Sequence, residues 1–319
     1  MTDHFADQIL SRAKATSPLV VGIDPDFDQM PTFLRPTDSD PVTIRSALTT
    51  FCRLVLEASG EMVCGVKFQS AFFEQFGTVG LLALADVMAL ARTMKLPLIL
   101  DVKRGDIGST SLAYARGYLA GGGSLGGGRM GSSDLGADCI TVNPFMGEDA
   151  IEPFLRLAID HGKGVFFLVK TSNPGSGLFM GAKTGRSETV ADRIARLVND
   201  WAKKTMGKSG YGLAGGVVGA TFPEEAERLR KLMPRAIILA PGVGFQGGGI
   251  ETMRAFFDND KSGALVPMSR TLTYPEHSGN THDTFQKAVQ EATQRYVTLF
   301  RERFRALPPG AVSGHVSIS

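Results

Sequence analysis

Histidine is scarce, and what there is does not cluster. The five histidines, His4, His161, His277, His282 and His315, form no H-x-H or H-E-x-x-H pattern, so a histidine-built metal centre is not expected. Cysteine is scarcer still. Cys52, Cys64 and Cys139 are odd in number and include no C-x-x-C, which argues against a disulfide framework and for reduced, mostly buried thiols in a cytosolic chain. An excess of one charge is also missing. The 34 basic and 32 acidic side chains leave +2, too little to gather nucleic acid, although a small anionic substrate needs only a local patch. No apolar run is long enough to cross a bilayer, and the longest, over residues 81–91, is interrupted by Asp86. The N-terminal stretch is acidic and places Phe5, Ile9, Leu10 and Ala13 on one face, which predicts a helix over residues 2–15 rather than a signal peptide. These absences predict a cytoplasmic protein with neither a membrane nor a nucleic-acid partner.

Glycine and aliphatic residues are plentiful. With 38 glycines and 43% apolar residues in 319, the chain can bury a large core and still make many tight turns. Short apolar runs recur over residues 19–23, 62–67, 96–101, 138–142, 164–170, 213–220, 236–240 and 263–268. Most lack polar alternation, as strands covered on both faces do. Helical patterns lie between and after them, over residues 41–59, 78–94, 107–119, 149–161, 187–206, 223–233, 250–257 and 282–307. Eight strand–helix units predict an α/β fold, a (β/α)8 TIM barrel forming one domain over residues 1–319. A doubly wound open sheet is the alternative, because strand count alone does not prove closure. Two segments fall outside the alternation. Residues 121–136, GGGSLGGGRMGSSDLG, predict a flexible loop, and residues 308–319 predict a disordered tail.

Polar residues gather where the strands end. The first runs into Asp24-Pro25-Asp26, the second into Lys67-Phe68-Gln69 and the third into Asp101-Val102-Lys103. Asn143-Pro144 follows the fourth, and the fifth ends in Lys170-Thr171-Ser172-Asn173. Pro241-Gly242 follows the seventh and Ser269-Arg270 the eighth. In a barrel these ends share one face, the face that carries chemistry.

The densest stretch is LILDVKRGDIGSTS, residues 98–111. Asp101 and Lys103 share strand parity and so project to one side, with Asp106 in the turn beyond. A lysine between two carboxylates keeps its proton and keeps both carboxylates ionised. Lys67, from the neighbouring strand, extends the alternating charges. A structural ion-pair network is the alternative, but such networks rarely need two lysines and two aspartates in a barrel mouth. The segment PGVGFQGGG, residues 241–249, formally matches G-x-G-x-x-G. It follows the seventh strand rather than the first, and the next strand ends in Arg270 rather than an acid, which argues against a dinucleotide site. Loops after strands seven and eight of a barrel commonly bind phosphate, so Gln246 and Arg270 are assigned to one. Residues 171–185, TSNPGSGLFMGAKTG, are long for a βα loop and form either a lid or an ordinary surface loop. Ser172 and Asn173 open it and can hydrogen-bond a substrate ring.

The run D-x-K-x-x-D-I-G-x-T from Asp101 to Thr110 resembles the signature of the orotidine 5′-phosphate decarboxylase family. Its members convert orotidine monophosphate to uridine monophosphate without a cofactor. The likeness covers most of the chain. GIDPDFD, GVKFQSAFFE, DVKRGDIGST, TVNPFMGED, KTSNPGS, GATFPEE and APGVGFQGG occur in the family's order and look most like its longer, bacterial type-2 branch. The resemblance implies a homodimer that acts in de novo pyrimidine biosynthesis and holds no metal. It implies that Lys67, Asp101, Lys103 and Asp106 form a charged tetrad, with Asp106 and Thr110 reaching the partner's active site. Asp24 would bind ribose hydroxyls, Ser172 the pyrimidine, and Gln246 and Arg270 the phosphate. Ser111 departs from the pattern, since a small apolar residue is commoner there, and residues 121–136 take no role from it.

The chemistry agrees with the resemblance. Loss of CO2 from the pyrimidine leaves a carbanion at C6, and no cofactor motif supplies an electron sink. A fixed ammonium, that of Lys103, can stabilise the carbanion and then protonate it. Asp101 would stand near the departing carboxylate and order the lysines. Phosphate binding far from C6 would close the lid and supply energy to the transition state. Three alternatives differ in what they require. Mg2+-dependent barrels with a similar D-x-K-x-x-D want a further acidic ligand near the second strand, where this chain has Lys67. A Schiff-base aldolase needs a lysine of lowered pKa. A sugar-phosphate binding protein has no need for two lysines and two aspartates at one point.

Overall fold

The computed structural model describes residues 4–126, 129–185, 187–244, 249–276 and 278–304. The predicted tail at 308–319 lies outside them, as do residues 2 and 3 of the predicted N-terminal helix. The strands are β1 (Leu19–Ile23), β2 (Gly65–Gln69), β3 (Leu98–Arg104), β4 (Ser124–Gly126), β5 (Arg129–Met130), β6 (Cys139–Val142), β7 (Gly164–Lys170), β8 (Ala214–Val218), β9 (Ile238–Leu239) and β10 (Ala264–Met268). The helices are α1 (Phe5–Ala15), α2 (Pro41–Ser59), α3 (Ala71–Glu74), α4 (Gly77–Thr93), α5 (Gly108–Tyr118), α6 (Glu148–His161), α7 (Gly177–Met180), α8 (Val190–Lys203), α9 (Pro223–Leu232), α10 (Arg270–Thr273) and α11 (His282–Phe304).

Eight of the strands close into a parallel barrel in the order β1-β10-β9-β8-β7-β6-β3-β2. Because β1 pairs with β2 on one side and with β10 on the other, the sheet has no edge. Closure rules out the open sheet. The apolar runs explain the strands: β1, β6, β7, β8 and β10 are buried at every position. That burial is available only to strands covered inside by the barrel core and outside by helices.

Local chemistry sets the helix ends. α2 begins where the Asp40 carboxylate accepts from the Val42 and Thr43 N–H groups, with Pro41 at the first helical position. α8 starts later than residue 187 because Thr189 caps it. The Thr189 hydroxyl accepts from Asp192 N–H, and the Asp192 carboxylate accepts from Thr189 N–H. The helix predicted over 250–257 is a 3-10 helix, Ile250–Phe256. Residues 121–136 are not simply a loop. β4 and β5 pair antiparallel within them, and Gly131 N–H donates to Gly123 O and Ser133 N–H to Gly121 O. Composition reads as flexibility there, but backbone hydrogen bonding makes an arm after α5.

α1 closes the N-terminal end of the barrel. Phe5 meets Phe166 edge to face at 6.2 Å, and a Cβ on Gly164 would stand 2.4 Å from the Phe5 ring. Glycine at the start of β7 is what admits the plug. Arg12 donates to Gly60 O and Val63 O, and Asp7 accepts from Lys208 and Ser209 N–H, so the helix is pinned from both sides. The opposite end of the barrel is left for chemistry. All three cysteines are free and buried, and burial pushes the Cys64 thiol up to about 12. Among the described residues no helix is long and apolar enough to cross a membrane.

Candidate active site

At the C-terminal mouth the strand ends converge on one carboxylate. Asp101 follows the buried residues Leu98, Ile99 and Leu100 and is itself only 8% exposed. Its Oδ1 accepts from Lys103 Nζ at 2.7 Å and from Thr141 Oγ1 at 2.7 Å. Its Oδ2 accepts from Lys67 Nζ at 3.3 Å and from Gln69 Nε2 at 3.1 Å. Burial alone would raise the Asp101 pKa. The two ammonium groups and the hydrogen bonds from Lys103 and Thr141 overcome burial and hold the carboxyl well below the usual range. Lys67 is the mirror case. Burial favours its neutral form, but Asp101, and Asp24 Oδ1 at 3.8 Å, outweigh it and raise its pKa. The register makes this meeting unavoidable, since Gln69 pairs with Asp101 across β2 and β3, and Lys67 pairs with Gly22 and Ile99.

Lys103 reaches Asp101 by an irregular route. The β3–β6 ladder pairs Leu100 with Ile140 and then Arg104 with Val142, so Asp101, Val102 and Lys103 stand opposite Thr141 alone. This is a bulge. Lys103 takes φ 45°, a left-handed conformation that costs a non-glycine residue about 1–2 kcal/mol. The turn is held from behind. Arg104 donates to Glu74 at 2.6 Å and Tyr118 Oη at 3.3 Å, and its guanidinium lies over the Tyr114 and Tyr118 rings. Glu74 also accepts from Ser70 Oγ. Arg104 thereby fastens the end of β3 to α3 and α5. The two lysines differ in setting: the Lys67 side chain is 7% exposed and that of Lys103 is 44% exposed.

The other expected residues divide. Asp24 joins the cluster. Its Oδ1 is shut away from solvent with no hydrogen-bond partner, and its carbonyl accepts from Tyr274 Oη at 2.8 Å. The same phenol oxygen accepts from Asp26 N–H at 2.7 Å, so Tyr274 splints the turn that carries Asp24. Asp106 does not flank Lys103 within the chain. Its Oδ1 accepts from Ile107 N–H at 2.8 Å at the entrance to α5, and no ion pair joins it to Lys103 among the described residues. Within the chain it is Asp101 that holds Lys103. Thr110 is exposed on the same helix, beside Ile107, which is 55% exposed.

Ser172 is half-buried at the start of the 171–185 segment, and its carbonyl accepts from Thr221 Oγ1. That segment folds over Met180, which is buried against Thr171, and leaves Leu178 and Phe179 exposed. Arg270 is exposed as the first residue of α10. Gln246 lies outside the described residues. Near it, Gly242 and Gly244 take φ 105° and 84°, angles that only glycine adopts readily, as a tight backbone turn requires. Gln69, Thr141 and Tyr274 received no role in the sequence reading. Gln69 shares strand parity with Lys67, and Thr141 is the only hydroxyl in β6. Tyr274 left no local signal, because it meets Asp24 from the far end of the chain.

The cluster predicts a pH effect. Folding favours the ionised Asp101, because its pKa is lower in the folded chain than in the unfolded one. Its contribution is complete above about pH 4 and is lost as pH falls toward the depressed folded value. Asp101→Asn leaves buried Lys67 short of a counter-charge and is expected to lower the unfolding free energy near neutrality by about 3–5 kcal/mol. In urea denaturation the gap from wild type should narrow below about pH 4. A gap that stays constant with pH would exclude this account.

An ammonium held against an ionised carboxylate in a barrel mouth is equipped to stabilise a developing anion and to hand it a proton. Known proteins are similar to the chain in sequence and fold. Residues 17–266 match the model of the orotidine 5′-phosphate decarboxylase / HUMPS family. The chain is 39% identical over 291 residues to the orotidine 5′-phosphate decarboxylase of Rhodopirellula baltica, covering 90% of this chain and 93% of that protein. It is 36% identical over 297 residues to that of Caldicellulosiruptor bescii, covering 91% and 96%. The solved structure of Leishmania donovani OMP decarboxylase superimposes with a TM-score of 0.71 at 28% identity, covering 95% of this chain and 98% of the other. Barrel, charged mouth and sequence agree, and the chain belongs to the orotidine 5′-phosphate decarboxylase / HUMPS family.

Proposed function

We propose that the chain decarboxylates orotidine 5′-phosphate to uridine 5′-phosphate in pyrimidine biosynthesis, as a carboxy-lyase of the bacterial type-2 branch. The observation that carries this reading is Lys103 Nζ at 2.7 Å from the buried, ionised Asp101, with Lys67 on its other oxygen. Lys103 donates the proton that replaces CO2 at C6. Asp101 orders the two lysines beside the departing carboxylate. Asp24, whose Oδ1 is ion-paired with Lys67 at 3.8 Å but makes no hydrogen bond, accepts from a ribose hydroxyl. Ser172 meets the pyrimidine, and Gln246 and Arg270 take the phosphate. The 171–185 segment closes over the base, and its exposed Leu178 and Phe179 supply an apolar underside.

The working unit is a cytoplasmic homodimer of single-domain chains. Asp106, which makes no ion pair with its own Lys103 among the described residues, and Thr110 enter the partner's mouth. A Mg2+-dependent sugar-phosphate enzyme fits less well, because Lys67 occupies the place where a further acidic ligand would stand. The test is direct. Purified chain in EDTA is given orotidine 5′-phosphate, and the loss of its ultraviolet absorbance is followed. Sustained turnover is expected, and an inert, folded wild type would overturn the proposal.

A further inference from the structure

Thr141 stands where the β3–β6 ladder breaks register. On the β7 side it pairs regularly with Phe166, so β6 itself is undistorted. On the β3 side it faces three residues at once. In a regular ladder a carbonyl of β6 would receive each inward N–H of β3. Within the bulge that service comes from a side chain: Lys103 N–H donates to Thr141 Oγ1 at 2.9 Å. The same oxygen lies 2.7 Å from Asp101 Oδ1. Thr141 is 1% exposed, so no solvent competes for either bond.

The direction of each bond is fixed by inventory. A backbone N–H only donates, and an ionised carboxylate only accepts. The single hydroxyl proton therefore goes to Asp101, and the hydroxyl lone pairs face Lys103. One buried oxygen ties the backbone of Lys103 to the carboxylate that its own ammonium contacts. The loop Asp101–Lys103–Thr141 is closed at three corners, by Lys103 Nζ to Asp101, by Lys103 N–H to Thr141 and by Thr141 to Asp101. Serine keeps this chemistry. Valine keeps the shape but can neither accept nor donate.

We infer that Thr141 is a positioning residue of the reaction: it holds Lys103 in its left-handed turn and so sets where the ammonium stands. The inference rests on the proposed decarboxylation and deepens it. Removing the hydroxyl frees the turn to relax, and a misplacement of about 1 Å in a reacting group costs about 100-fold in rate.

The experiment compares Thr141→Val and Thr141→Ser with wild type on orotidine 5′-phosphate, using full-length chains and scaling rates to the folded fraction from near-ultraviolet circular dichroism. Thr141→Val is expected to lose about 100-fold in kcat, with KM changed by less than about threefold. Thr141→Ser should stay within about threefold in both. A role confined to stability would lower the folded fraction and leave kcat alone. If the valine chain does not fold, Thr141→Ala carries the same expectation, since it removes the hydroxyl without placing a methyl against Asp101. A folded valine or alanine variant with near-wild-type kcat would overturn the inference, as would a serine variant as slow as valine or a loss confined to KM. A wild type inert on orotidine 5′-phosphate would overturn the parent reading as well, which separates the two failures.

Discussion

Lys103→Ala is expected to lower kcat on orotidine 5′-phosphate by at least about 10⁴-fold, equivalent to about 5 kcal/mol of transition-state stabilisation. Two contributions are lost together. General-acid proton transfer is worth about 10²–10⁴-fold, and a charge aimed at a developing anion about 10²–10³-fold. The fold should survive, because the Lys103 side chain is 44% exposed and Asp101 keeps its bonds from Lys67, Gln69 and Thr141. Steady-state kinetics would measure it, with binding of uridine 5′-phosphate as the control for an intact site. Lys103→Arg should also be slow: its guanidinium keeps the charge but does not release a proton near neutrality. Undiminished turnover by the alanine variant would remove Lys103 from the mechanism.

Mixing two dead chains is expected to restore activity. Asp106 accepts from Ile107 N–H within its own chain and makes no ion pair with its own Lys103, and it sits with Thr110 at the open end of α5. If Asp106 serves the partner, a heterodimer of Lys103→Ala and Asp106→Ala chains has one site carrying both lesions and one carrying neither. Random exchange of equal amounts makes about half of all dimers heterodimers, so activity should rise to about a quarter of wild type. Unfolding and refolding the mixture together, then assaying it beside each variant alone, gives the comparison. Mixed dimers that form, as shown by a tag pull-down, yet stay inactive would place Asp106 in its own chain's site.

Much of this was legible in the sequence because strands buried on both faces cannot hide. β1 and β7 fall on the predicted residues 19–23 and 164–170. β9 is shorter than its apolar run, since only Ile238 and Leu239 pair with both neighbours. The contact between Lys103 and Asp101 was expected from strand parity, but parity is not what makes it. The bulge and the left-handed φ at Lys103 do, and the hydroxyl bonded to that turn belongs to Thr141, which lies 40 residues from Asp101. Local pattern does not register such a distant partner. Spacing alone also set Asp106 close to Lys103, whereas within the chain its carboxylate accepts from Ile107 N–H at the start of α5. Within residues 121–136 the pairing of β4 with β5 and the Gly131 to Gly123 and Ser133 to Gly121 bonds are features that glycine content does not signal.

The unequal exposure of the two lysines has a consequence for repeated turnover. A group that surrenders a hydrogen ion in each cycle must be reloaded before the next, and the medium is the only inexhaustible source. Lys67, 7% exposed beneath Asp101 and Asp24, is sealed from that supply and suits a charge that is never spent. Lys103, 44% exposed at the rim, can be recharged as soon as product leaves. In the proposed reaction, two chemically identical side chains are thus divided by depth into a permanent fixture and a renewable one.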